Sequence, residues 1–518
     1  MSDTFTTADH QKAKEAAYSA IRNIKSAETS LVEYASRGHV AILGEATAIE
    51  AFGDLPSALS SEVISYQGLE ANNDISINGA LGRFEVSVAG QTIKADLILD
   101  LSPQPMLTMA LKPPGYFSLS ASRDDTEQLK NKLVDMIGTF EKPRYFDYNE
   151  SACAHGRSGQ AGCTRCIDAC PAEAIISLLD KISVDPFRCQ GGGICATVCP
   201  SGAIRYAYPK SEDLLTQVRL LIRTYLNEGG IAPDLVFATE AEQQRAQHAL
   251  PTAFVMLVEE VASVGPEIWL SALSWGAKSV RLFDLDAMPA SARLALELNI
   301  DMVQAILPAL SYPATAISLL MDTSELITTK SMPRDRKTSP HTALSDKRQA
   351  FYMALNHLAT SAEQTAEQAK TVVSLPVGSM FGEVLVNKES CTLCMSCVSA
   401  CPANALQDGR EKPQLGFIEA KCLQCGICES TCPENAISIA PRLLLKAEDR
   451  NKRQLLHEEE PFCCISCGKP FATKSGISTV LEKLSGHYMF ADERATNRLK
   501  MCSDCRVIDM AEDPNTAL

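Results

Sequence analysis

Hydrophobic and polar positions divide the chain into segments of different period. Residues 9 to 37 have helical composition, and the apolar run VAILG, Val40 to Gly44, followed by ATAIEAF, reads as a buried strand entering a helix. RFEVSVAGQTIKADLILDLSP then alternates as a β-hairpin does, with Gly90 at the turn and a fully apolar second strand. These elements predict an α/β N-terminal domain over residues 1–145. From Asp213 to Thr328 the pattern switches regularly: LLTQVRLLIRTYL, AEQQRAQHAL, GPEIWLSALSWGA and ASARLALELN read as helices, and PDLVFATE, TAFVMLVE, KSVRLFDL and AISLLMD as strands. Such alternation implies right-handed βαβ units on a parallel sheet over residues 213–328. Trp269 and Trp275 fall on one of these helices as packing residues. TTKSMPRDRKTSPHTALSDKR, Thr328 to Arg348, is polar and proline-bearing and reads as a linker. A helix through YMALNHLATSAEQTAEQAK completes the linker-and-helix segment 329–378.

The 518 residues have room for several domains, and a hydrophobic share of 46% is enough to build packed cores. The N-terminus lacks the apolar stretch of a signal peptide, and no apolar run is long enough to span a bilayer. A cytoplasmic location without direct membrane insertion is therefore expected. A net charge of −15 argues against nucleic acid as a partner, because phosphate contacts need basic patches.

Composition changes the picture most through its 20 cysteines, all of them after residue 150 and most in tight groups. Disulfide frameworks belong mainly to small secreted domains, so metal ligation is the stronger reading. An internal repeat narrows it further: CPAEAI from Cys170, CPSGAI from Cys199, CPANAL from Cys401 and CPENAI from Cys432 each close a cysteine group. Two copies of a two-cluster, ferredoxin-like module are expected, at residues 146–212 and 379–445.

The downstream copy has both runs in C-x2-C-x2-C-x3-C-P form. In two-cluster ferredoxins the last cysteine of each run ligates the other run's cluster. Cys391, Cys394, Cys397 and Cys432 are thus assigned to one [4Fe–4S] cluster, and Cys422, Cys425, Cys428 and Cys401 to a second. Soft thiolates suit the iron–sulfide core, and short spacing lets one loop wrap it. The upstream copy departs twice. Its first intercysteine loop is stretched between Cys153 and Cys163, and its second run has Gly192 where a thiolate is expected. The same crossing gives Cys153, Cys163, Cys166 and Cys199 to a third [4Fe–4S] cluster. Cys170, Cys189 and Cys195 are left with three thiolates, which suit a [3Fe–4S] cluster or a [4Fe–4S] cluster with an open corner. His155 is expected to cap the inserted loop, in solvent.

The last five cysteines follow another rule. Cys464, Cys467, Cys502 and Cys505 make a CxxC and a distant CxxC, the spacing of a structural Zn2+ site, and Cys463 is left as a spare thiol. A small zinc-ribbon-like metal-binding module over residues 446–518 is expected, with a fifth iron–sulfur cluster as its rival. No GxGxxG fingerprint, P-loop, catalytic triad or paired-carboxylate motif accompanies these sites. Asp100 and the Glu259–Glu260 pair read as acidic caps or solvated strand edges.

KPRYFDYNESACAHGRSGQAGCTRCIDACP, CATVCPSGA, GPEIWLSALSWGAKSVRLF, CGKPF and MCSDCRV, together with ADLILDLSP and PPGYF, resemble the bacterial 4Fe–4S ferredoxin-type proteins encoded with molybdenum or tungsten formate dehydrogenases. The resemblance implies an electron-transfer protein with a redox protein partner, a formate dehydrogenase or a related oxidoreductase. The segment after the first module also resembles the small iron–sulfur subunit domain of methyl-viologen-reducing hydrogenases, but has no cysteine of its own between Cys199 and Cys391. The expected fold is a multidomain α/β and α+β chain, and the expected role is electron carriage rather than stand-alone catalysis. A maturation factor for a molybdoenzyme and a flavin- or nicotinamide-containing oxidoreductase subunit are the alternatives.

Overall fold

The structure, a computed structural model, describes residues 7–24, 28–66, 75–88, 90–120, 122, 125–157, 159–286, 288–321, 337–342, 344–363, 371–409, 412–490 and 492–513. The chain divides into two compact units: Met1–Ser151, Thr164–Leu178 and Ile182–Ser361 form the first, and Ala152–Cys163, Leu179–Lys181 and Ala362–Leu518 the second.

In the first unit the strand His39–Gly44 lies at the centre of a parallel sheet, between Ser60–Ser65 and Leu97–Asp100, and Tyr116–Ser118 closes the far edge. Its apolar residues Val40, Leu43, Leu97 and Leu99 are fully buried, as strands covered on both faces require. The hairpin expected around Gly90 pairs Phe84–Val88 with Gln91–Ala95. Its apolar continuation is not the second hairpin strand, because Leu97–Asp100 leaves to join the parallel sheet. The helical composition of residues 9 to 37 also resolves into two elements. Thr7–Arg22 is a helix, whereas Leu31–Ser36 is a strand with alternating burial, antiparallel to Gly138–Pro143. The first helix packs along Ser211–Asn227, with His10 Nδ1 2.7 Å from the Tyr225 hydroxyl.

The second α/β layer follows the alternation in the sequence. Its four strands run parallel in the order Phe254–Leu257, Asp234–Ala238, Ser279–Phe283, Ile317–Leu320. Trp269 and Trp275 are both buried in its core. Part of the expected linker, 328–336 and 343, lies outside the described residues. The rest packs rather than spaces: the Trp275 indole N–H donates to the His341 carbonyl at 3.1 Å, and Lys347 opens the helix Lys347–Glu363. The remainder of the helix expected through residue 370 falls outside the described residues.

Both cysteine modules close in the same way. Phe146–Tyr148 pairs antiparallel with Ile204–Tyr206, and Gly382–Val386 with Ile437–Leu444, so the strand before the first run meets the strand after the last. Among the described residues no helix is long and apolar enough to cross a membrane.

Candidate metal centres

The repeated CPxx motif is a repeated turn. Glu173, Gly202, Asn404 and Asn435, three residues after each closing cysteine, all sit at positive φ, between 47° and 68°. Asparagine and glycine enter this region most readily, and the turn swings the next amide back toward the cysteine. The Ala405 N–H thus donates to Cys401 Sγ at 3.3 Å, and the Ala436 N–H to Cys432 Sγ at 3.2 Å. Such donors stabilise an anionic sulfur.

Two cavities follow from these loops in the second unit. One, of about 330 Å³, is lined by Cys391, Cys394, Cys397 and Cys432. The other, of about 380 Å³, is lined by Cys422, Cys425, Cys428 and Cys401. Each takes three cysteines from one run and the last from the other. Burial first, then the neighbouring sulfurs, push the Cys397 thiol up to about 12. Cys425 is raised to about 11 by burial, against the Ile427 N–H and with the charges of Cys422, Cys401 and Cys163. Four crowded and largely buried sulfurs become thiolates only when a cationic core compensates them, so donor set and environment fit an iron–sulfur cluster.

The Gly192 half-site keeps the same wrap. Leu393 and Met395 flank Cys394 at positive φ, as Gln424 and Gly426 flank Cys425, and Gly191 and Gly193 flank Gly192 in the same way, at 82° and 68°. A Cβ built on Gly192 meets nothing within 4 Å, whereas one on Gly191 would lie 2.9 Å from the Tyr145 ring and one on Gly193 2.4 Å from Ser263 Cβ. Cys189, Cys170 and Cys166 all raise the Cys195 thiol by their charge, although burial is the larger cause. Two lysines border this site. Lys142 donates to the Cys189 and Phe187 carbonyls at 2.5 and 3.1 Å. Lys347 donates to those of Ala196 and Thr197, at 2.7 and 2.5 Å. No spacing rule announces either lysine, because each arrives from a distant segment.

In the second unit Ala154 and Cys163 pair across the base of the stretched loop, the Cys163 N–H donating to the Ala154 carbonyl at 3.0 Å. His155 caps that loop but is not solvated: it is 2% exposed, with Nδ1 2.9 Å from the Cys163 carbonyl.

The Cys464, Cys467, Cys502 and Cys505 sulfurs all lie within 4.8 Å of one another. Tetrahedral Zn–S bonds of about 2.3 Å space sulfurs ~3.8 Å apart, and Cys467 Sγ is 3.8 Å from Cys502 Sγ. This spacing suits one tetrahedrally held metal ion. Burial opposes ionisation of Cys464, but the N–H groups of Cys502, Cys467 and Ser466 outweigh it and hold the thiol at about 6. Cys463 is exposed and outside the quartet.

Two of the carboxylates differ from expectation. Asp100 is fully buried, not a solvated cap, and it accepts from the Ser102 and Met106 N–H groups at 2.9 and 2.7 Å and from the Ser102 and Tyr116 hydroxyls. It anchors the loop after its strand. Glu260 is partly buried, and burial, then Glu259 and Asp284, raise its carboxyl to about 7.

Residues 390–437 match the 4Fe-4S dicluster domain, and residues 182–205, which include Gly192, match the 4Fe-4S binding domain. Two ferredoxin-type 4Fe–4S domains are therefore present, and they support an iron–sulfur electron-transfer role. No curated protein matches the sequence.

Proposed function

We propose that the protein carries electrons between a formate dehydrogenase-type oxidoreductase and a second redox protein. The observation that carries this reading is the pair of cavities lined by crossed cysteine sets. Cys391, Cys394, Cys397 and Cys432 hold one [4Fe–4S] cluster, and Cys401, Cys422, Cys425 and Cys428 a second. Cys153, Cys163, Cys166 and Cys199 supply a third set. Cys170, Cys189 and Cys195 hold a three-thiolate cluster, and Cys464, Cys467, Cys502 and Cys505 a structural Zn2+. When bound, iron–sulfur clusters take up and release single electrons. The chain's own part is to wrap them, to donate N–H groups to the sulfurs and to place cations such as Lys142 and Lys347 beside them. Formate dehydrogenase enters through the resemblance of the cysteine runs and of the CGKPF and MCSDCRV segments.

Anaerobically purified protein should show dithionite-reducible clusters by electron paramagnetic resonance. It should be reduced by formate only when the dehydrogenase is added. Clusters that reduce normally but exchange no electrons with the dehydrogenase would sink the partner. Protein without cluster signals after reconstitution would sink the whole reading.

A further inference from the structure

The stretched loop between Cys153 and Cys163 is left unexplained by cluster binding, since two residues suffice between Cys391 and Cys394. In the second unit this segment is a β-hairpin, with Gly156–Arg157 paired to Gln160–Ala161. Its base is closed by the Gly162 N–H, which donates to the His155 carbonyl at 2.6 Å, and by the Cys163 N–H on Ala154. The hairpin is seated on the downstream module. Gln160–Ala161 lies against the helix Ile427–Thr431, which carries Cys428. Arg157 Nη1 donates to the Cys401 carbonyl at 3.1 Å. A Cβ on Gly162 would stand 2.3 Å from Ile427 Cγ1 and 2.9 Å from the Ala154 carbonyl oxygen, and Ile427 is wholly buried, so this approach admits only glycine. The two anchors fall on the loops that supply Cys401, Cys425 and Cys428. At the far end the hairpin is tied down too, the Gly159 N–H donating to Asp180 at 3.0 Å.

We propose that the insertion is an electron bridge: residues 154–157 and 159–162 seat Cys163 against the Cys401, Cys422, Cys425 and Cys428 site, so that electrons cross there between a cluster held by Cys163 and the cluster of that site. The inference rests on the iron–sulfur reading above. One electron leaves the cluster on one side and enters the cluster on the other. No bond forms or breaks and no proton moves. Tunnelling falls steeply with distance, so a hairpin pressed onto the partner site matters more than its sequence. Gly162 and Arg157 are positioning residues, acting through Cys163 and Cys401.

The test uses the full-length, cluster-loaded protein and two variants, Gly162→Val and Arg157→Gln. Arg157 is exposed, so its variant keeps the fold even if the valine does not. In wild type, the reduced clusters should show spin–spin splitting that the variants lose in part. Electron redistribution after pulse reduction should slow at least tenfold in Gly162→Val and several-fold in Arg157→Gln. Iron content should stay unchanged, and amide exchange over 154–163 should rise. Intact clusters with the same splitting and the same redistribution rate in wild type and Arg157→Gln would overturn the bridge alone. Wild type without cubane signals would overturn the iron–sulfur reading beneath it.

Discussion

Three consecutive glycines, Gly191, Gly192 and Gly193, supply a sharp test of the three-thiolate site, because the backbone treats them differently. Gly191 and Gly193 occupy left-handed φ, and each would drive a Cβ into a neighbour, Tyr145 at 2.9 Å and Ser263 at 2.4 Å. A left-handed residue with a Cβ costs ~1–2 kcal/mol, and the overlap with the Ser263 backbone adds to it, so Gly193→Ala should cost roughly 2–3 kcal/mol. Gly192 has an ordinary φ and open space where its Cβ would point. Gly192→Ala should therefore leave stability unchanged or raise it by ~0.4–1 kcal/mol through the unfolded chain. Gly192→Cys goes further, since its sulfur takes the place that Cys394 and Cys425 hold in the other two loops. A [3Fe–4S] cluster is paramagnetic when oxidised, so if the site holds one rather than an open-corner [4Fe–4S] cluster the wild type should give about one spin per chain in the oxidised state. In that case Gly192→Cys should abolish the signal and raise iron by about one atom per chain. The assays are denaturant midpoints for the alanine series, and spin quantitation with iron analysis for the cysteine variant. Equal destabilisation by Gly192→Ala and Gly193→Ala would refute the geometric argument. A stable Gly192→Cys with unchanged spin and iron would refute the ligand argument.

Replacing Lys142 or Lys347 by methionine removes a cation beside the Cys189 and Cys195 loops. The reduced cluster carries the extra electron, so its midpoint potential should fall by roughly 20–60 mV in a redox titration; no change would show that the carbonyl contacts screen both charges. Cys464→Ser with Cys502→Ser should abolish the bound zinc measured by mass spectrometry and expose residues 446–518 to protease, while cluster signals persist. Asp100→Ala strands several buried donors and should cost at least ~3 kcal/mol by urea unfolding, with Asp100→Asn intermediate. Glu260 is raised to about 7, so its contribution to stability is full below the ordinary carboxyl range and is lost as pH rises through about 7. Glu260→Gln should flatten that slope between pH 5 and 8 in denaturant midpoints.

The sites were legible where chemistry depends on spacing, and illegible where it depends on what folds against them. The CP-closed runs and the CxxC pairs show their sulfurs by register alone, and the 213–328 alternation carries a parallel sheet whose two central strands are buried on both faces. Leu31–Ser36 is not legible as a strand, since its six residues of alternating burial lie within a helix-forming stretch. Asp100 looked like a strand-end cap because nothing local shows that Tyr116 and Met106 fold over it. Lys347 sat in an apparent linker, and only tertiary structure brings its ammonium to the Ala196 and Thr197 carbonyls.

The departures of the upstream module gain meaning from what it retains. Four CPxx turns reach the same left-handed conformation with glutamate, glycine and asparagine, so the loop shape persists through changes of residue. The Gly191 to Gly193 stretch also keeps the flanking dihedrals of the two complete loops. Gly191 and Gly193 hold left-handed φ around an open position, as the residues flanking Cys394 and Cys425 do, and glycine enters that region without steric cost. The thiolate is missing, but the frame of the loop is intact. The hairpin at Cys153 follows the same logic: the frame is kept, and the added residues are spent on a contact with Cys401 and Ile427 that the bare run could not reach.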